Sequence, residues 1–560
     1  MGKEISPGRR STFKVAAFLL PFLFLALLEG GLRLVGFGDS YPLFVESSQA
    51  PGYLMANPRV IRRFMVDEAH TPRLRIRPVF FPRRKGEDTF RIFVQGGSSA
   101  EGYPYGYAAS LSGMLQQRLQ RTFPQRRIEL VTTAMSAVTS YTLLDFVDEI
   151  IEQSPDAVVI YAGHNEYLGI LGVGSGYSVG RRRPLVLSFL WLRDLRLFQL
   201  IQRTVSALKP RPPEGGRSQR TLMATIASEQ EIPYDSDLYR RGIEQYRANL
   251  GAILSRYRAA GIPVLIGTLA CNERDQPPFI SRPSAGTDED ELQGHLEAGE
   301  EHLRSERPSQ ALAAFRQAVE LDDTHAGAHY ALARALDRLG RFSEARQEYL
   351  AAKDRDQLRF RAPEAVNQVI RQAAARHGAH LVEVRQALSR AARDGIVGSD
   401  LMLEHLHPNI EGYFEMADAY YQAFRQMGLI GAWTHPVSRE TAWRVAPVTE
   451  VDRLYGHWRA QYLMSDWPFS EQKRYFQPPT ANSRPEKIAF DYYKGRYQWP
   501  AAMRALLTHC IRDKQVEEAA KVAMLLAEAF PHQSDDQAVA HHWLKRAGRP
   551  EADIYLRRSQ

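Results

Sequence analysis

RIFVQGGSSAEG, residues 91–102, decides the fold. Its first five residues mix β-branched and aromatic types and predict a strand, which the glycine pair Gly96 and Gly97 ends. Working toward the C-terminus, Leu111, Met114, Leu115 and Leu119 recur at helical spacing within residues 109–123. IELVTTAM (128–135) then reads as a second buried strand, residues 141–153 as a helix and DAVVIYAG (156–163) as a third strand. A long helical stretch at 239–260 leads into a fourth strand, PVLIGTL (263–269), and AHLVEV (379–384) supplies a fifth. Apolar strands separated by helices predict a three-layer α/β/α domain, its parallel sheet covered on both faces. Functional residues are then expected at the C-terminal ends of the strands, where GGSS and GHNE fall.

The third and fourth strands are separated by an insertion at 168–220. It holds the Arg181–Arg183 triplet, the amphipathic run PLVLSFLWLRDLRLFQLIQRTV and a KPRPPEGG linker. Such a run suits a helix packed on the core, a lid, or a second membrane contact, since an apolar face with arginines is how interfacial helices meet a bilayer. Further on, Ala311, Phe315, Ala318 and Asp322 recur as Ala345, Tyr349, Ala352 and Asp356, each at an interval of 34 residues. That is the tetratricopeptide (TPR) period, with Gly340 at the turn between paired helices. The repeats serve as a structural brace or as a groove for a protein partner. A degenerate third copy is read near Glu518, Ala519 and Pro531.

At the other end, Lys3, Arg9, Arg10 and Lys14 precede an unbroken apolar run over 15–28, and apolar character resumes to residue 37. Residues 15–37 reach the roughly 20 needed to span a bilayer if Glu29 and Arg33 lie near the interface. A cleaved signal peptide is the alternative to this anchor. Positive charge before the span predicts the N-terminus inside and the rest of the chain outside, the periplasmic face in a bacterium.

The divisions expected are a basic N-terminus (1–14), the span (15–37) and a preceding segment (38–87). The α/β domain follows in two parts, 88–285 and 361–430, with the repeats (286–360) between them and a helical region (431–560) after. Seventy-two basic against 64 acidic residues, a net charge of +8, is too thin an excess over 560 residues to argue for nucleic acid, and no nucleic-acid module is recognisable. Two cysteines, Cys271 and Cys510, exclude a disulfide framework and a four-cysteine zinc site, leaving one disulfide or two thiols.

QGGSSAEG taken alone fits a glycine-rich turn, a phosphate cradle or a nucleophile loop, though the lysine of a P-loop is missing. A serine hydroxyl needs a base and oxyanion donors to act as a nucleophile. GHNEY (163–167) offers Asn165 just past a buried strand, placed to aim its amide at the neighbouring strand's loop. LEHLHPN (403–409) offers Glu404 and His407 three residues apart in a turn, so that one carboxylate orients one imidazole toward Ser98.

In this order, GGSS, GHNE and ExxHP resemble the SGNH/GDSL hydrolase superfamily over about residues 88–270 and 365–428. The resemblance implies Ser98 as nucleophile, with Gly96, Gly97 and Gly102 in its block, and His407 and Glu404 as base and orienting carboxylate. It further implies Gly163 and Asn165 in the third block, and an oxyanion hole from Ser98, Ala134 and Asn165. Gly97, Glu166 and Glu404 depart from that family's usual aspartates, and Ala134 stands where its second block has glycine.

The expected activity is hydrolysis or transfer of an ester-linked acyl group without cofactor or metal, the substrate being an envelope glycan or lipid. A catalytically inactive scaffold that recruits envelope proteins is the alternative. The charged run KDRDQLRFRAPEA (353–365) reads as a solvated helix end. His405, His407, His541 and His542 lack the spacing of a zinc site, and the aromatics of FDYYKGRYQWP (490–500) read as helix packing.

Overall fold

The structure, a computed structural model, describes residues 7–65, 74, 76–106, 108–208, 221–227 and 231–559. Lys3 and the KPRPPEGG linker lie outside these described residues. Three short strands, β1 (Phe44–Glu46), β2 (Tyr53–Ala56) and β3 (Phe80–Pro82), form an antiparallel sheet in that order. The main sheet follows with β4 (Thr89–Gly96), β5 (Arg127–Thr132), β6 (Ala157–Tyr161), β7 (Val264–Gly267) and β8 (His380–Val382). Its spatial order is β5-β4-β6-β7-β8, and every pairing is parallel.

These are the five strands read from the sequence, and the reason they were legible is burial on both faces: all eight residues of β4 and all five of β6 are buried. Helices Leu111–Thr122, Ser140–Ile151, Asp237–Ala259, Glu364–His377 and Ile410–Met427 cover the sheet. The chain runs outward from β4 to β5 and then crosses back to β6, so the strand order reverses between β4 and β6. Their register pairs Gly96 with Tyr161. The two loops that begin there lie side by side at the crevice where α/β sheets bind ligands.

Glu289–Arg304, Pro308–Leu321, Ala326–Arg338 and Phe342–Arg355 form two helix pairs between β7 and β8. All eight residues that define the 34-residue interval are buried. The paired aspartates explain themselves. Asp322 accepts the backbone N–H of Ser284, and Asp356 accepts those of Phe279 and Ile280, so both repeats clamp the chain that enters them.

The charged run after the repeats departs from the expectation of a solvated helix end, because Asp356, Arg359 and Arg361 are buried. Arg361 donates to the carbonyls of Asn272 and Gln276 and to Asp356, and Arg359 to Ile232 O. These bonds offset much of the cost of burying the two guanidinium groups, although Nη2 of Arg359 and Nε of Arg361 find no partner among the described residues.

Beyond residue 430 the described chain is helical, from Arg439–Arg444 to Ala552–Ser559. Its aromatics do pack: Tyr492 stacks on Tyr455 at 3.9 Å between ring centroids, and Tyr493 meets Trp458 edge-on. Cys271 and Cys510 are both free and buried. At the other end, Pro7–Leu34 is a single helix whose segment Phe13–Leu34 is long and apolar enough to cross a membrane.

Candidate active site

Ser98 begins one helical turn, Ser98–Glu101, directly after β4. Gly102 closes that turn with φ 93°, a left-handed conformation that an L side chain rarely adopts. Gly97 is required for a different reason. A Cβ there would lie 2.8 Å from the Asn165 amide nitrogen, so any side chain would displace that amide. Gly96 ends β4, and Gly163 turns the chain after β6 with φ 148°.

The Ser98 Oγ is 2.7 Å from Nε2 of His407. His407 turns its other nitrogen, Nδ1, to the Glu404 carboxylate, which also accepts the His407 backbone N–H at 3.1 Å. Sequence reasoning did not anticipate that Glu404 serves two imidazoles: its second oxygen meets Nδ1 of His405. Burial alone would raise the Glu404 carboxyl, but the two imidazoles outweigh it and hold the group well below the usual carboxylate range.

The turn is fixed from both ends. Asn409 accepts the Gly412 N–H with its side chain and caps the helix Ile410–Met427. Leu403 N–H donates to His407 O at 2.8 Å. The Tyr103 ring lies 4.5 Å from the His407 ring, and its carbonyl accepts the buried Tyr413 hydroxyl. The ligand-type atoms of Glu404, His405 and His407 cluster closely, but the Nδ1 atoms of both imidazoles are taken by the carboxylate. His541 sits apart, bonded to Ala552 O among the C-terminal helices.

Ser98, Asn165 and His407 line one cavity of about 410 Å³. Ala134 does not. It is fully buried, and its N–H donates to the Thr132 hydroxyl at 3.3 Å. The residues of that loop on the cavity wall are Ser136 and Ala137, and Ala137 has a φ of 60°, the conformation glycine favours. Among the described residues, the N–H groups of Ser98 and Ala137 and the Asn165 amide nitrogen have no hydrogen-bond acceptor. Positive φ at an alanine leaves no mark in a sequence, and the resemblance pointed to Ala134, three residues upstream.

Glu166, beside Asn165, is fully engaged within the fold. Its carboxylate accepts both the hydroxyl and the N–H of Ser140, at 2.6 and 3.0 Å, tying the Asn165 loop to the start of the helix Ser140–Ile151. Burial pushes its pKa up to about 7, against the opposing pull of the two Ser140 hydrogen bonds.

The cavity has a polar and an apolar side. Glu101, bonded to the Ser136 hydroxyl, and Arg459 supply charge near Ser98, while Leu168, Met223, Ile226 and Leu463 supply apolar wall. Arg459, Tyr462 and Leu463 come from the helix Glu450–Met464, so the C-terminal region contributes to this site. Local sequence carries no signal of that, because the contact joins segments some 350 residues apart, as in the Tyr103 hydroxyl bond to Arg459 O.

A search among curated protein sequences finds no match. Among solved structures, the chain is similar to a GDSL-like lipase from Bacteroides thetaiotaomicron at 12% identity, covering 62% of this chain and 93% of that one with a TM-score of 0.29. It is also similar to a catalytic mutant of an acetylxylan esterase from Geobacillus stearothermophilus, at 12% identity, 63% and 99% coverage and a TM-score of 0.28. A third is a psychrotrophic esterase from Pseudoalteromonas sp., at 13% identity, 60% and 97% coverage and a TM-score of 0.27. The family model for the tetratricopeptide repeat matches residues 302–363, within the segment whose period was read from the sequence.

Proposed function

We propose that this chain is a membrane-anchored serine esterase acting through an acyl-enzyme, with Ser98, His407 and Glu404 as its catalytic triad. The observation that carries the reading is the continuous chain from Ser98 Oγ through His407 to the buried Glu404 carboxylate. His407 Nε2 takes the hydroxyl proton as Ser98 Oγ attacks the ester carbonyl, and Glu404 stabilises the imidazolium that forms. The developing oxyanion is received by the N–H groups of Ser98 and Ala137 and by the Asn165 amide, three donors left without a protein acceptor among the described residues. His407 returns the proton to the departing alcohol. Water, or a sugar hydroxyl in the transferase variant of the reaction, then resolves the acyl-enzyme by the same route reversed.

The anchor is the helix Phe13–Leu34, and with the N-terminus inside, the catalytic domain faces the periplasm. That location favours an ester-linked acyl group of an envelope glycan or lipid. The repeat pair is assigned to a protein partner.

The full-length chain in detergent should label at Ser98 with a serine-reactive fluorophosphonate, and Ser98→Ala should not label. Equal labelling of both proteins sinks the assignment. His407→Ala should lower the labelling rate and ester turnover by several powers of ten, as members of a triad act as a unit.

A further inference from the structure

The insertion helices present a surface that the catalytic reading does not use. Arg183–Leu192 buries Val186, Phe189 and Leu190 against the domain, but Arg196–Ala207 buries nothing. On the latter helix Ile201 and Val205 are 53% and 48% exposed, and Leu208 just beyond it 82%, a stripe at helical spacing. Trp191, in the last turn of the first helix, is 70% exposed. Residues 181–208 contain six arginines and a single acidic residue, Asp194.

What lies beside this surface identifies its occupant. The Glu29 carboxylate, on the apolar helix Pro7–Leu34, accepts the backbone N–H groups of Arg196 and Leu197 and so caps the amphipathic helix. Arg33, one turn further along, donates to both Glu29 and Asp194 O. Past the end of the apolar helix, Asp39 receives Arg203, whose guanidinium also lies over the Phe37 ring. On the side away from the apolar helix, Arg193 is paired with Asp145 of the helix Ser140–Ile151. The amphipathic helix is therefore fastened to the end of the apolar helix and to the catalytic domain at once.

We propose that residues 181–208 form an interfacial platform that lies in the membrane surface, with Trp191, Ile201, Val205 and Leu208 in the acyl boundary and the exposed Arg181, Arg182 and Arg203 facing anionic headgroups. This rests on reading Phe13–Leu34 as a membrane anchor. Two attachments, one spanning and one interfacial, hold the catalytic domain against the bilayer in one orientation instead of on a swivelling tether.

The test uses the full chain in vesicles of phosphatidylcholine and phosphatidylglycerol. Environment-sensitive fluorophores are attached singly through Leu23→Cys in the span, Ile201→Cys on the platform and Tyr475→Cys at a remote exposed site, with the unsubstituted chain, whose two thiols are buried, as the blank. Lipids carrying nitroxide on the acyl chain should quench the labels at 23 and 201, with a blue-shifted emission at both, and leave 475 unaffected. Quenching at 23 with water-like emission at 201 overturns the platform while the anchor stands. Water-like emission at 23 overturns the anchor, and the platform with it. Equal quenching at 201 and 475 shows general adsorption and also overturns the proposal.

Discussion

Gly97 lacks a side chain where the Asn165 amide nitrogen needs the space, and this one contact links two motifs that lie 68 residues apart in sequence. Gly97→Ala should push that amide away and lower kcat by about a hundred- to a thousandfold, the usual cost of one oxyanion donor. Steady-state kinetics on a chromogenic ester, with the melting temperature as a control for folding, checks it. Glu166 makes a different prediction. Its pKa of about 7 lies above the ordinary 4.5, so the fold favours its protonated form. The stability this contributes is complete below about pH 4.5 and is lost as pH rises through about 7, a loss of at most about 3 kcal/mol. Thermal melting followed across that range should show the decline, and Glu166→Gln should flatten it. That Ser98, Asn165 and His407 meet at one cavity, with Glu404 behind His407, was legible because each sits in a motif whose spacing carries meaning without knowledge of the fold. Ala137 and His405 were not, since a backbone angle and a second claim on one carboxylate have no signature in residue order.

Elements were legible where burial forced a pattern on them. β4 to β8 stood out as apolar runs between helices, whereas β1 to β3, three or four residues each, are too short to register a period. The charged exit of the repeats shows the converse error: charge in a local window says solvent, while the fold buries it. Lys353, at the end of Phe342–Arg355, is almost fully enclosed and pairs with Glu364 at 2.8 Å and Asp354 at 3.3 Å. Glu364 in turn holds Arg385 at 2.8 Å, so one carboxylate joins the repeat pair to the second part of the α/β domain. Glu364→Ala leaves the buried Lys353 with Asp354 alone and the half-buried Arg385 with Glu273 alone, and should destabilise the protein by about 1–3 kcal/mol, whereas replacing Lys353 and Glu364 together by apolar residues should recover part of that loss. Thermal melting of the two variants distinguishes a buried pair from a surface one, for which both changes would be nearly silent.

At the scale of the whole molecule, the cavity belongs to no single segment of the chain. Ser98 follows β4, His407 comes after the repeats, and Leu463 comes from the helix Glu450–Met464. That helix is held close by Gly456, where a Cβ would come within 2.1 Å of the Tyr105 ring, and by the capping box of Thr449 and Asp452. The C-terminal region should therefore set which esters fit while leaving the chemistry at Ser98 alone. Leu463→Trp narrows the apolar wall without touching Ser98, His407 or Glu404. It should lower kcat/KM for long-chain nitrophenyl esters relative to the acetate by about tenfold or more, the range that a filled pocket commands. Its labelling rate with a small fluorophosphonate should stay at that of the parent chain. A uniform loss across all chain lengths, together with slowed labelling, would mean that the substitution disturbs the triad, and the C-terminal helices would then act as a brace and not as a wall of the site.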